Sequence, residues 1–265
     1  MTQAEGGSHS VVESAGDGIA TVTICNAGRL NVLGTAVIED LTRSLERLRE
    51  RADLRVLVLR GTGDKAFIGG ADINEMAGLA RASAERFISG LRRLCDAVRQ
   101  FPVPVIARMP GWSLGGGLEV ALACDIRVAS DSARFGMPEV RIGIPSVIHA
   151  ALMPRLIGRA RANWLILTGE NIDAAQALAW GLIDRVVPLA GLDAEVARIA
   201  SLLAGFGTSA VRQQKRLLRE WEDAPLDQAI GASVAEFGRA FDTGEPQRFM
   251  GEFLARQSDR NNTGP

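Results

Sequence analysis

The segment PVPVIARMPGWSLGGGLEVALACDIRVAS, residues 102–130, alternates strand, turn and helix signals. Val103–Ala107 enters through Pro102 and Pro104 and reads as a buried strand. The glycine-rich stretch Gly111–Gly117 is a turn, Leu118–Cys124 an apolar helix, and Ile126–Ala129 a strand again. The pattern extends upstream. Ile19–Ile24 (IATVTI) reads as a strand. Thr35–Arg51 is a helix with Val37, Ile38, Leu41, Leu45 and Leu48 on one face and Thr35 as its N-cap. Leu54–Leu59 (LRVLVL) is a buried strand, followed by a glycine-rich loop, Gly61–Ala71, and a helical pattern from Asp72. Phe87, Ile88, Leu91, Leu94, Cys95 and Val98 share the face of a further helix. This succession predicts an α/β fold, largely parallel, with ligands near the strand-to-helix turns.

Downstream, the composition turns helical from about Ala160. Ile183–Val187 is one more short strand before Pro188, and from Leu192 nearly everything reads as helix. That region is too apolar for a tail and is expected to pack on the core or on another subunit. Residues 1–11 are Gly/Ser-rich and expected to be loose, and residues 258–265 are polar and expected to fray.

The 265 residues are 47% hydrophobic and 23% charged, too apolar for a disordered chain and long enough for one large core. Thirty Lys+Arg against 31 Asp+Glu leave a net charge of −1, which gives no bulk attraction for nucleic acid or an anionic membrane. Lys65 and Lys215 are the only lysines, so arginine is the default anion ligand. Cys25, Cys95 and Cys124 form no CxxC pair and read as free thiols in apolar segments, which fits a reducing cytoplasm. The N-terminus lacks the basic and apolar regions of a signal peptide, and no apolar run is long enough to span a bilayer.

Two glycine loops and two carboxylates carry the chemistry. KAFIGGADINEM (Lys65–Met76) and Gly111–Asp125 each place glycines directly before a helix, where free backbone N–H groups suit an anion or a carbonyl oxygen turning negative. Either loop alone reads equally well as a tight turn. Two together suggest an oxyanion hole. Glu119 sits in the first turn of an apolar helix, where desolvation raises its pKa. A plain first-turn Glu favoured by the helix dipole is the alternative. Glu139, in FGMPEVRIGIP (Phe135–Pro145), is either its acid–base partner or a salt-bridge partner of Arg141. His149 reads as a structural or pocket-lining histidine, since one His makes no metal cluster and no zinc or iron spacing exists. The four tryptophans are read as packing residues.

KAFIGGADINEM, the segment 102–130 and ARFGMPEVRIGIP (residues 133–145), in this order, resemble the enoyl-CoA hydratase/isomerase, or crotonase, family from about residue 11 to 257. The resemblance implies a crotonase-like spiral of ββα repeats over residues 12–195 and a helical trimerisation region over residues 196–257. It further implies a homotrimer or a hexamer built as a dimer of trimers. The substrate implied is an acyl-CoA thioester, with coenzyme A part of the substrate and no separate cofactor. By the same resemblance the N–H groups of Ala71 and Gly116 hold the thioester oxygen. Glu119 mainly activates water and Glu139 mainly handles the α-proton of a 2-enoyl thioester. CoA is expected along Arg29, Leu30, Lys65, Gly69 and Ile73. Phe253 and Arg256 would reach the CoA of a neighbouring subunit.

Two departures stand out. Asn74 stands where many hydratases carry lysine. Typical members read PGxGG where this chain reads PSVIH, so Ser146 replaces a glycine that helps seat the water. Ser146, Val147, Ile148 and His149 are therefore expected to reshape the acyl pocket. Hydration is the leading expectation. Isomerisation, dehydration or hydrolysis through the same enolate is the nearest alternative, and a non-catalytic acyl-CoA binding protein is a further one. A Rossmann-type dehydrogenase lacks GxGxxG after its first strand.

Overall fold

The computed structural model describes residues 8–262. The chain divides into two units, one ending at Ser201 and the other beginning at Leu202.

In the first unit, β1 (Ser10–Ser14) pairs antiparallel with β2 (Ile19–Ile24). β2 continues in parallel to β3 (Val56–Gly61), β5 (Val105–Met109), β7 (Ile126–Ser130) and β10 (Arg185–Val187). A second sheet holds β4 (Ala66–Ile68), β6 (Trp112–Leu114) and β8 (Arg134–Gly136) in parallel, with β9 (Asn171–Asp173) antiparallel at its edge. β3, β5 and β7 of the first sheet are each followed by a short strand of the second. Between the pairs run α1 (Thr35–Arg49), α2 (Ile73–Met76), α3 (Arg81–Arg99) and α4 (Gly116–Ala123). This is the expected spiral of ββα repeats.

The reasons are local. β3 and β5 are almost continuously buried, as parallel strands covered on both faces must be. α1 buries Val37, Ile38, Leu41, Leu45 and Leu48, and α3 buries Phe87, Leu91, Leu94, Cys95 and Val98, the faces their spacing predicts. After β8 come a 3-10 helix, Pro138–Ile142, and a second one, Ile148–Leu152. These lead into α5 (Met153–Ile157), α6 (Arg159–Thr168) and α7 (Ala174–Trp180). α8 spans Leu192–Ala204.

The second unit carries α9 (Thr208–Asp223), α10 (Leu226–Phe241) and α11 (Glu245–Asn262). Glu245 caps α9 by accepting the N–H groups of Ser209 and Ala210, both at 3.0 Å. Glu236 on α10 accepts from Gln213 on α9 at 2.8 Å and pairs with Arg216 and Arg239.

Several expectations need correction. The segment expected to be loose to residue 11 is already strand from Ser10. Ser10 Oγ donates to Asp40 on α1 at 2.8 Å, and His9 N–H donates to the same carboxylate at 2.9 Å. Residues 1–7 lie outside the described residues. The C-terminal segment expected to fray from residue 258 is helical through Asn262. Thr35 is the first residue of α1, and Gly34 holds the cap position. Glu75 of α2 takes over the capping, accepting the Thr35 N–H at 2.9 Å. The helix expected from Asp72 is a single turn, stopped before a separate α3.

One backbone position is strained. Ile148 has φ +41°, in the left-handed region where β-branched residues are outliers. Glycine adopts that region freely. The left-handed region costs an L-residue about 1–2 kcal/mol. Ile148→Gly should therefore be more stable than Ile148→Ala by about 1 kcal/mol, which thermal unfolding would read as a Tm about 2–4 °C higher. Equal Tm values would remove the case for strain.

Candidate active site

A cavity of about 490 Å³ lies in the first unit. Its lining includes Gly69, Ala71, Ile73, Gly116, Glu119, Glu139, Ser146 and Val147, which the sequence places in four separate stretches. The remaining wall is mostly apolar, with Phe87, Ile88 and Leu91 supplied by α3 and Leu114 by β6. The helical periodicity of α3 marks these residues as inward-facing, but it does not distinguish a cavity wall from solid core.

The glycine turn between β6 and α4 sets the geometry. Gly115 has φ +50°, and a Cβ there would stand 2.5 Å from Glu139 Oε1. The positive φ requires a glycine, and the carboxylate end of Glu139 lies close over the start of α4. Gly116 is the first residue of α4, so its N–H has no partner within the helix. Ala71 forms an isolated parallel bridge to Leu33. Leu33 N–H donates to Gly70 O at 2.9 Å and Asp72 N–H donates to Leu33 O at 3.0 Å. In that pattern the N–H of Ala71 itself points away from Leu33, and Ala71 lines the cavity.

The two carboxylates differ in setting. Glu119, in the first turn of α4, is 3% exposed, and its Oε1 accepts the Ala150 N–H at 3.0 Å. Burial pushes its pKa up to about 8. The Ala150 hydrogen bond opposes that rise and the charge of Glu139 adds to it. Glu139 lies on the 3-10 helix Pro138–Ile142 and is half-buried. Its Oε2 accepts the Ser146 hydroxyl at 2.9 Å. Burial raises its pKa as well, against lowering by its own backbone N–H and by Ser146. Among the described residues no ion pair joins Glu139 to Arg141, whose side chain lies against Gly169. A pKa of about 8 keeps Glu119 mostly protonated at neutral pH.

The other expected residues are distributed as follows. Arg29, Leu30 and Lys65 line a second cavity of about 570 Å³ together with Trp112 and Arg134. Gly69 N–H donates to Leu30 O at 2.7 Å, so that donor is used within the chain and is not offered to a ligand. Ile73 is 57% exposed on α2. Phe253 and Arg256 are exposed on α11 in the second unit and line neither cavity. His149 departs from its expected place in the acyl pocket. It is buried, its Nε2 lies 3.4 Å from Asp96 Oδ1 on α3, and it is absent from the lining. A polar ring at this depth needs a polar partner, and Asp96 provides one away from the cavity. Ala150 was not legible in the sequence, because its contribution is a backbone N–H that any residue type supplies. Arg134 was likewise missed, since nothing in its segment distinguishes it from a solvated strand residue. Among the described residues no cluster of His, Cys, Asp and Glu could hold a metal.

A family model described as enoyl-CoA hydratase/isomerase matches residues 14–260. The short-chain-enoyl-CoA hydratase of Clostridium acetobutylicum is 32% identical over 240 residues, covering 90% of this chain and 92% of its own. The crotonyl-CoA hydratase of Syntrophomonas wolfei is similar to the same extent, 32% over 240 residues, with 90% and 92% covered. The crystal structure of an enoyl-CoA hydratase from Bacillus anthracis superposes with a TM-score of 0.90 at 32% identity, covering 94% of this chain and 96% of that one. With a family model over residues 14–260 and relatives 32% identical over most of their length and of this chain, the chain belongs to the enoyl-CoA hydratase/isomerase family.

Proposed function

We propose that this protein is a 2-enoyl-CoA hydratase, adding water across the double bond of an acyl-CoA thioester. One observation carries the proposal: two carboxylates, Glu119 and Glu139, stand in one apolar cavity whose lining includes Ala71 and Gly116. Water attacks the β-carbon, and the π electrons move through the α-carbon onto the thioester oxygen. The N–H groups of Ala71 and Gly116 are the proposed donors to that oxygen. One such donor is worth about 3 kcal/mol in comparable sites. The ionised glutamate takes a proton from water and the protonated one delivers a proton to the α-carbon. The pKa of about 8 favours Glu119 as the acid and leaves Glu139 as the proposed base, exchanging the roles implied by the resemblance. The pair titrates as a unit.

CoA is proposed to run from Ile73 at the cavity mouth past Leu30 and Gly69, with Arg29 and Lys65 of the second cavity meeting its phosphates. Phe253 and Arg256 are proposed to reach the CoA of a neighbouring subunit. Ser146 and Val147 would shape the acyl pocket. No separate cofactor is part of this reading. A cytoplasmic location is proposed because Cys25, Cys95 and Cys124 are free thiols. A homotrimer or a hexamer is proposed from α10, where Leu226, Ile230, Val234 and Phe237 are each at least 60% exposed and repeat along one face.

The substitution of Ser146 for glycine favours keeping a second reading, double-bond isomerisation in the same site. A 3-enoyl-CoA substrate separates the two. An isomerase forms the conjugated product without water uptake and depends more on Glu139 than on Glu119.

Purified protein given crotonyl-CoA and longer and branched 2-enoyl-CoAs should hydrate at least one of them, and failure with all would refute the proposal. Glu119→Gln and Glu139→Gln should each lower kcat by roughly 10²–10⁴-fold while circular dichroism and Tm stay close to the parent. The pH profile of kcat/KM should be a bell. Activity falls on the alkaline side as Glu119 loses its proton near pH 8, and on the acid side as Glu139 gains one. A profile flat to well above pH 8 would contradict the assigned proton. Light scattering should give three or six times the 28.2 kDa chain mass, and a monomer would exclude the proposed assembly.

A further inference from the structure

The segment Pro145–Ala150 touches both carboxylates, through the Ser146 hydroxyl on Glu139 and the Ala150 N–H on Glu119. We propose that Ser146 is a positioning residue for Glu139, its hydroxyl fixing Oε2 of that carboxylate against the substrate cavity. The inference rests on the hydratase reading above and assigns a task to a side chain where the family pattern has none.

The geometry supports it in three ways. Glu139 sits on a short 3-10 helix, where its own backbone N–H and the Ser146 hydroxyl are the donors that orient its carboxylate. Gly115 bounds Oε1 on one side, and Ser146 binds Oε2 on the other. Ser146 itself lines the cavity, so the hydrogen bond forms at the wall where substrate would lie. A hydroxyl donating to a carboxylate also favours its ionised form, the form needed in a base.

Other charges around Glu139 do not replace this contact. Glu119 on α4 is a second acid. Glu85 on α3 lines the same cavity and is paired with Arg81 at 3.1 Å. Arg141, on the same 3-10 helix, lies against Gly169. α6 packs against that helix and carries Arg159 and Arg161, both exposed, with Arg161 donating to the Trp180 carbonyl at 3.2 Å.

The test compares Ser146→Ala and Ser146→Thr with the parent. A hydrogen bond to a charged group accounts for about 1.5–3 kcal/mol, or roughly 10- to 100-fold in rate. Ser146→Ala should lose that factor in kcat with KM within about twofold, and its acid limb should move to higher pH, because loss of the donor disfavours ionised Glu139. Ser146→Thr, which keeps the hydroxyl, should restore both. Infrared titration of the Glu139 carboxylate in the unliganded protein, identified by its loss in Glu139→Gln, should show the same upward shift in Ser146→Ala. That readout needs no turnover. If the parent hydrates nothing, the functional reading falls while the infrared titration still decides the role of Ser146. An unshifted carboxylate in Ser146→Ala, or a Thr variant that behaves like Ala, would overturn the proposal.

Discussion

A carboxylate placed inside an apolar wall must lose its charge or find compensation, and Glu119 does some of each. It sits on a helix whose other residues are buried, it receives one backbone N–H from Ala150, and its pKa still climbs to about 8. A single amide offsets only part of the cost of desolvating a charge. The charge of Glu139 adds to that rise, because two negative charges in one cavity are costlier than one. The rest of the first unit can be understood as the apparatus that brings Glu139, Ser146 and Ala150 to the N-terminal turn of α4.

The ββα spiral supplies that apparatus. Parallel strands deliver their outgoing loops to the same end of the sheet, so the turn after β4 and the turn after β6 come together although more than 40 residues separate them. The second sheet fixes their spacing. β4 and β6 are paired in parallel, and a Cβ at Gly70 would lie 3.3 Å from the Leu114 carbonyl. Two backbone donors at the start of rigid elements can then face one cavity without reorganising during reaction, which is the condition for strong stabilisation of a developing oxyanion.

The segment Pro145–His149 shows this framework absorbing a local change. Ser146 and Ile148 each alter the local energetics. Ile148 holds a left-handed backbone against its preference and packs partly against the core. Ser146 adds a hydroxyl on Glu139. The strain is tolerated because the fold around it over-determines the backbone.

The sequence by itself determined the repeat of strands and helices, the faces of α1 and α3, the two glycine turns and both glutamates. Those features are local, written as periodicity or as residue types that only special backbone geometry demands. It did not reveal β4, β6, β8 and β9, because three residues are too few for a period to show, and it set the first strand too late. Only the tertiary structure decided that Ala150 holds Glu119, that Ser146 rather than Arg141 meets Glu139, and that His149 turns to Asp96. The first and last of those pairings act through the backbone or join distant residues, and the Ser146–Glu139 bond, seven residues apart, depends on how the irregular stretch between them folds back, so each is set by where the chain goes rather than by residue type alone.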